Sequence, residues 1–348
     1  MLLLISLRGF GDAVILREVA RFLVQRGEHD IIHVLTVEKY SGLFDHDKYI
    51  NLHTLKGGTT LQSGFSFFKA IFKDLKKLFT MRLLGINQTI DFTGDIRERC
   101  VGMFVGSRRH CYPKWIDGHP CGMFIRFNKI QLIRSREVGV NIDSVSIYDI
   151  YYELISKATG LTRYPVNLSQ AYNIRDLKVD CISRRTNIVA VHPFAAQKSR
   201  MWNWASWREL LIQLVQRGFS VRIYCAPNEE KIVYNMLVRP EDTQIEVSAG
   251  FDLKQIEESL SEIQFCVCLD SFFAHLCSVN CVPLVMINGS NNYFVWAPPN
   301  ALVVSNGLVC NMFPCYNKPV CANNDEWAYK CIRSVAVDQV IKAVDDLY

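Results

Sequence analysis

Asp12 is the first residue in the chain placed to do chemistry. It follows an apolar run, Leu2–Ser6, and the turn Arg8-Gly9-Phe10-Gly11. A carboxylate there has two readings. It can be a general base that takes a proton from an attacking hydroxyl. It can also cap the helix marked by Ile15, Val19, Phe22 and Leu23 at helical spacing, with Arg17, Arg21 and Gln25 on the opposite side. A helix dipole favours a charged carboxylate at its N-terminus, which suits the cap. The residue types alone leave both readings open.

The other candidates lie mostly downstream. Lys198 and Arg200 follow the apolar run Ile188–Val191 and carry the charge that a departing phosphate needs, or they form a solvated basic loop. Asp270-Ser271 ends the run Phe265–Leu269 and opens a helical stretch whose first N–H groups can cradle phosphate. Phe272 comes next, where a glycine would allow the closest backbone approach. His275, in the same helix, faces a ligand or is a satisfied structural histidine. Glu229 and Glu230 follow the strand ending at Cys225 and suit ribose hydroxyls, one of them serving as helix N-terminal charge. Arg97 either meets an anionic saccharide or is an ordinary surface arginine. No Asp-x-Asp pair is placed to hold a metal at a leaving group, and Asp91 and Asp95 are too far apart, so metal-independent charge stabilisation is expected. Cys310, Cys315, Cys321 and Cys331 lie in a Pro- and Asn-containing segment and have the number and type of donors for structural zinc or iron, without the usual Cys-x2-Cys knuckle.

The elements that must position these residues alternate between strand and helix in two blocks. Each block begins with a strand apolar enough for burial on both faces. The first block runs through strand candidates at Ile31–Leu35, Ile50–His53 and Thr89–Phe92 and a helix at Asp95–Val105. It also holds a basic amphipathic helix over Phe65–Leu84. There Phe68, Ile71, Phe72, Leu75, Leu78 and Phe79 form one face, and Lys69, Lys73, Lys76 and Lys77 lie elsewhere. This helix reads as a crossover with a solvated lysine face or as a contact with an anionic membrane surface. Cys111–Ile142 reads as irregular loops, Tyr148–Thr159 as a helix and Arg163–Arg185 as the linker.

The second block has strands at Ile188–Val191, Ser220–Cys225, Phe265–Leu269 and Pro283–Ile287. Helices fall at Ser206–Gln216, Glu229–Leu237, Leu253–Leu260, Phe273–Val279 and Val335–Leu347. This pattern predicts an α/β chain with two doubly wound domains, 1–165 and 166–348, the second ending in the Cys-rich loop and terminal helix. Ligands in such folds sit at the carboxyl ends of the strands, and the cleft between two domains is the natural site.

Bulk properties agree. The 348 residues exceed one comfortable core, 49% are hydrophobic and 21% charged, and the net charge of +5 is too small to support nucleic-acid binding. Neither a secretory leader nor a membrane span is expected. The 13 cysteines, with Cys225, Cys266, Cys268, Cys277 and Cys281 in apolar runs, suit a reducing cytoplasm. A nicotinamide-dependent oxidoreductase would need a complete Gly-x-Gly-x-x-Gly turn, and Gly9 with Gly11 provide only its first half.

Segments spread along the chain resemble the ADP-heptose:lipopolysaccharide heptosyltransferases of glycosyltransferase family 9. Leu4–Asp12 is similar to that family's strand ending in Leu-Gly-Asp. Val191-His192-Pro193-Phe194-Ala195, followed by Lys198, Arg200 and Trp202, is similar to its His-Pro-Gly-Ala segment and Lys-Arg-Trp. Asp270–Leu276, Val282-Pro283 and Asn288–Asn292 resemble its Asp-Ser-Gly-x-x-His-Leu, Val-Pro and Gly-Pro-Thr-Asp series. Asp91–Arg97 resembles its Asp-x-x-Gly-x-x-Arg. Phe272, Met201 and Asn292 depart from the pattern on the donor side, where the resemblance makes Asn292 a candidate sugar or phosphate contact.

The resemblance implies a GT-B fold, two facing Rossmann-like domains with a cleft between them, acceptor on the N-terminal side and nucleotide sugar on the C-terminal side. It implies an inverting enzyme that needs no cofactor for catalysis and uses Asp12 as base. ADP-heptose is the favoured donor and a lipopolysaccharide core or related glycan or glycolipid the acceptor. The location implied is cytoplasmic, with room for peripheral contact at the inner membrane. Some relatives that modify proteins use a cysteine cluster as a structural iron site. Alternatives are another nucleotide sugar, a protein acceptor, or a catalytically silent nucleotide- or glycan-binding protein.

Overall fold

The chain forms two compact units, Met1–Gln170 and Ala171–Tyr348. The computed structural model describes residues 1–57 except 26, 28 and 46; 69; 71–111 except 94 and 106–108; 146–148, 151 and 155; and 186–347 except 316–318, 320 and 322–327. The irregular region after Cys111, most of the Tyr148–Thr159 helix and the Arg163–Arg185 linker lie outside the described residues.

In the first unit, β1 (Leu2–Ile5), β2 (Ile32–Val37), β3 (Ile50–Leu55), β4 (Gln88–Asp91) and β5 (Arg109–Cys111) form a parallel sheet in the order β3-β2-β1-β4-β5. All four residues of β1 are buried, as a central parallel strand covered on both faces requires. Helix α1 (Phe10–Gln25) leads from β1 toward β2 and buries Val14, Ile15, Val19 and Leu23. Arg17, expected on its exposed side, is buried instead. Its Nη1 donates to the Leu43 carbonyl at 2.9 Å and its Nε lies 3.3 Å from Glu18. Helices α2 (Leu75–Leu83) and α3 (Ile96–Val105) flank β4 in sequence.

The second unit has β6 (Ile188–His192), β7 (Ser220–Cys225), β8 (Ile245–Ala249), β9 (Phe265–Leu269), β10 (Leu284–Asn288) and β11 (Ala301–Ser305). Their order is β11-β10-β9-β6-β7-β8, every described pairing parallel. Renumbered from its own first strand this is 3-2-1-4-5-6, the doubly wound dinucleotide-binding order. Its core includes Val191, Trp202, Trp207, Leu211, Phe265 and Ile341. Trp202 is held by Trp207, ring centroids 5.1 Å apart, and its Nε1 donates to the Val335 carbonyl at 3.0 Å. Helix α4 (Trp204–Gln216) is capped by Asn203, which accepts from the Ser206 N–H at 2.7 Å. The helices α5 (Glu230–Met236), α6 (Leu253–Leu260) and α7 (Phe272–Val279) link successive strands. The short α8 (Tyr293–Trp296) follows β10, and α9 (Lys330–Arg333) and α10 (Val337–Asp345) close the chain.

Candidate active site

Both sheets reverse direction at a switch point, between β1 and β4 in the first unit and between β6 and β9 in the second. Crevices at the carboxyl ends of such strands hold the ligands of open α/β folds. The candidate residues fall into these two places, each described within its own unit.

In the first unit, Asp12 lies in the opening turn of α1 and is half-buried. The Gly9 carbonyl accepts the first helical bond from Ala13 N–H at 3.1 Å, and Asp12 Oδ2 accepts from Gly9 N–H at 3.1 Å. A Cβ on residue 9 would stand 2.8 Å from that oxygen, so glycine is what lets the carboxylate fold back. The cap reading is therefore realised by one oxygen. The other, Oδ1, accepts from the Tyr151 hydroxyl at 3.3 Å. Tyr151 is buried against Phe92, ring centroids 4.4 Å apart. Burial and then the Asp12 charge raise the Tyr151 pKa, and the same two causes push Tyr40 up to about 12. Both tyrosines remain protonated donors at neutral pH. At the end of β4, Asp91 Oδ1 accepts from Thr93 N–H and Oγ1 at 2.9 and 3.1 Å. Arg97 is buried rather than a surface arginine, and its Nε and Nη2 grip Asp95 at 2.9 and 2.6 Å.

In the second unit, the turn after β6 carries Lys198, which is exposed, and Arg200, which is not. Arg200 Nη1 reaches the Asp270 carbonyl at 3.4 Å and its carboxylate at 3.7 Å, while Asn291 Nδ2 donates to Asp270 Oδ2 at 2.7 Å. Burial raises the Asp270 pKa, and the Arg200 charge opposes that shift. Arg200 Nε is buried without a hydrogen-bond partner among the described residues. Ser271 caps α7 by accepting from Phe273 N–H at 3.3 Å, and its Oγ lies 3.4 Å from His192 Nδ1. The His192 ring stacks on Phe273 at 4.7 Å and meets Phe272 edge-on at 5.6 Å. Ser199 Oγ and Ser290 Oγ are 2.9 Å apart. A Cβ at Gly289 would collide with the Ser199 carbonyl, so this glycine lets the loop after β10 close onto the basic turn.

The structure thus brings Lys198, Arg200, Asp270 and Ser271 to one edge. Glu229 and exposed Glu230 stand at the end of the neighbouring strand β7, where Glu229 Oε2 accepts from Ala226 N–H at 2.9 Å. His275 lies deeper in α7, buried, with its pKa pushed down to about 4 by desolvation. Asn292 is buried and caps α8 through Phe294 N–H at 3.1 Å. Tyr151 and Tyr40 escaped the sequence reading. Tyr151 is 139 residues from Asp12, and no local pattern links them.

The four C-terminal cysteines are free thiols. Burial and the charges of Cys321 and Cys310 raise the Cys315 pKa, while burial and Cys315 push Cys331 up to about 11. They are near enough to feel one another. Even so, no group of three or more His, Cys, Asp or Glu among the described residues is arranged to hold a metal.

Two parallel doubly wound sheets, each with candidate residues at its switch point, are the architecture of GT-B glycosyltransferases. Residues 130–324, more than half of the chain, match the family model for glycosyltransferase family 9 (heptosyltransferase), and the chain belongs to that family. It is a glycosyltransferase of the heptosyltransferase kind. Solved structures share the fold. E. coli heptosyltransferase WaaC with ADP superposes with a TM-score of 0.66 at 14% identity, covering 100% of both chains. E. coli ADP-heptose lps heptosyltransferase II gives 0.66 at 15%, covering 99% of this chain and 98% of that one. The iron-containing dodecameric glycosyltransferase TibC from enterotoxigenic E. coli gives 0.55 at 13%, covering 99% and 77%. No curated protein sequence matches the chain.

Proposed function

We propose that the second unit binds a nucleotide sugar, ADP-heptose being favoured, and that Asp12 deprotonates a hydroxyl of a lipopolysaccharide-core or related glycan acceptor held by the first unit. The sugar transfers with inversion in one displacement, without a metal. The observation carrying this reading is the edge between β6 and β9, where an exposed lysine, an anchored arginine and a capped helix start converge. Arg200 is tied to Asp270, so Lys198 is the cation able to swing onto the departing diphosphate. The unpartnered Arg200 Nε and the N–H groups opening α7 supply fixed donors. Support for the nucleotide comes from the relative solved with ADP. The reaction is placed in the cytoplasm.

A second reading, another nucleotide sugar or a silent binding protein, is favoured by Phe272. Its ring stands at the first position of α7, against His192, where a smaller residue would open the helix start. A thermal-shift panel of ADP-heptose, ADP, UDP-sugars, GDP-sugars and NAD separates the readings. Stabilisation by ADP species alone is expected. Stabilisation by a UDP- or GDP-sugar reassigns the donor, and none at all points to the loss of donor binding.

A structural zinc or iron at Cys310, Cys315, Cys321 and Cys331 is a separate proposal. The donor chemistry fits, and the iron-containing relative supports it, but the four thiols as placed do not form a closed ligand set. Metal analysis of protein purified without a nickel tag is expected to find about one zinc or iron per chain. A metal-free, fully folded sample defeats the idea.

A further inference from the structure

Asp12 has a partner that its own helix does not supply. Within the turn, Oδ2 is taken by the Gly9 N–H at 3.1 Å. Oδ1 accepts at 3.3 Å from the hydroxyl of Tyr151, 139 residues further along the chain. Held through one oxygen alone, a carboxylate keeps a broad torsion about Cβ–Cγ. Held through both, it has one orientation, and each oxygen still keeps a second lone pair.

Tyr151 is itself anchored. Its ring is fully buried and leans on Phe92, with 4.4 Å between centroids. Phe92 follows β4, and its N–H donates to the Ile5 carbonyl at 3.1 Å, where β1 ends and the turn carrying Asp12 begins. The carboxylate and the ring that reaches it are therefore tied to the same two strands, β1 and β4, on either side of the switch point. Three other groups lie close. Arg8, before α1, and Glu98, in α3, are the other charges felt by the Tyr151 hydroxyl. Tyr40, in the turn Glu38–Leu43, feels the Asp12 charge but gives its hydroxyl to the Arg8 carbonyl at 3.4 Å. A buried phenol needs an acceptor wherever it sits. Here the acceptor is a carboxylate, the partner that makes such a bond strong and directional.

We infer that Tyr151 is the positioning residue for the Asp12 base, its hydroxyl turning the carboxylate so that a free lone pair meets the acceptor's proton. The inference rests on Asp12 acting as base. In the displacement, the acceptor oxygen bonds the anomeric carbon, its proton goes to Asp12, and the diphosphate leaves with the bonding pair. Tyr151 keeps its own proton throughout.

The test is Tyr151→Phe in the full chain, which leaves the ring against Phe92 and removes only the hydroxyl. With ADP-heptose and a lipopolysaccharide-core saccharide, kcat is expected to fall about ten- to a hundredfold while KM for both stays within about twofold. A packing role would lower the melting temperature and act whatever stands at position 12. The deciding readout is therefore the double variant: with Asp12→Asn in place, Tyr151→Phe should lower the residual rate no further. Phe92→Leu keeps the hydroxyl but loosens its ring, so it should show a smaller kcat loss with the same dependence on Asp12, and it carries the test if Tyr151→Phe folds poorly. Wild-type kcat in Tyr151→Phe beside an inactive Asp12→Asn overturns this inference and leaves the base standing. So does an equal loss from Tyr151→Phe in both backgrounds, which assigns the tyrosine to the fold alone. No turnover by the wild type, or near-normal turnover in Asp12→Asn, overturns the inference together with the reading beneath it.

Discussion

Asp12→Asn is expected to lower the rate of sugar transfer by about a hundred- to ten-thousand-fold, the usual worth of a positioned general base. Folding and donor binding should be nearly untouched. The substitution separates the proposed role as base from the cap that the same carboxylate provides. The Asn carbonyl can still accept from Gly9 N–H, preserving the cap. Its amide nitrogen can face the Tyr151 oxygen, which accepts as well as donates. What Asn cannot do is take a proton. If Asp12 only capped α1, the Asn variant would work nearly normally, and Asp12→Ala would lose about 1 kcal/mol of stability. Steady-state turnover beside a melting curve for both variants decides the matter. Near-wild-type turnover by the Asn variant removes the assignment.

Acid should unfold the protein well before its carboxylates are exhausted. His192 and His275 are buried and His53 is half-buried; desolvation pushes each down to about 4. For His53, the neighbouring His33 adds to that effect, their ring nitrogens 3.0 Å apart. A histidine pKa lower in the folded than in the unfolded chain means that the neutral ring stabilises the fold above about 6.5. That stability is lost as pH falls from about 6.5 toward 4. For each fully buried ring the shift corresponds to roughly 3 kcal/mol, a large share of a typical folding free energy. Denaturant midpoints measured across pH 7 to about 4 should drop steeply, with about three protons taken up on unfolding. His275→Gln should take up one fewer. A flat profile over that window would show these rings to be charged or solvated in the fold.

Much of the fold was legible because parallel strands buried on both faces leave unbroken apolar runs. β1, β6 and β9 are such strands, with boundaries within a residue of the sequence reading; β7, interrupted by Ser220 and Arg222, keeps only part of such a run. β8, one edge of the second sheet, mixes polar with apolar residues and carries no such run, whereas β11, the other edge, has apolar residues at 301–304 that the sequence reading passed over. Composition also misled where tertiary contacts overrode it. Arg17 is buried because the Leu43 carbonyl and Glu18 receive it, and Phe72 and Phe79 are exposed because Asp74 breaks the helix. The ordered motifs singled out Asp12, Lys198, Arg200 and Asp270-Ser271 as candidates, which the structure sets at the carboxyl ends of β1, β6 and β9. They could not reveal that Arg200 is held by Asp270, that Gly289 admits the Ser199 carbonyl, or that Tyr151 reaches Asp12. Those are contacts between residues far apart in sequence.

The claim at the centre of this account is that the chain moves a sugar from a nucleotide to an acceptor hydroxyl. Release of ADP from ADP-heptose, followed together with the mass of a lipopolysaccharide-core saccharide, tests it most directly. The account predicts ADP release that requires the acceptor, matched by one heptose added per ADP and lost in the Asp12→Asn variant. ADP-heptose that binds but is never consumed, or is consumed equally without acceptor, would contradict it.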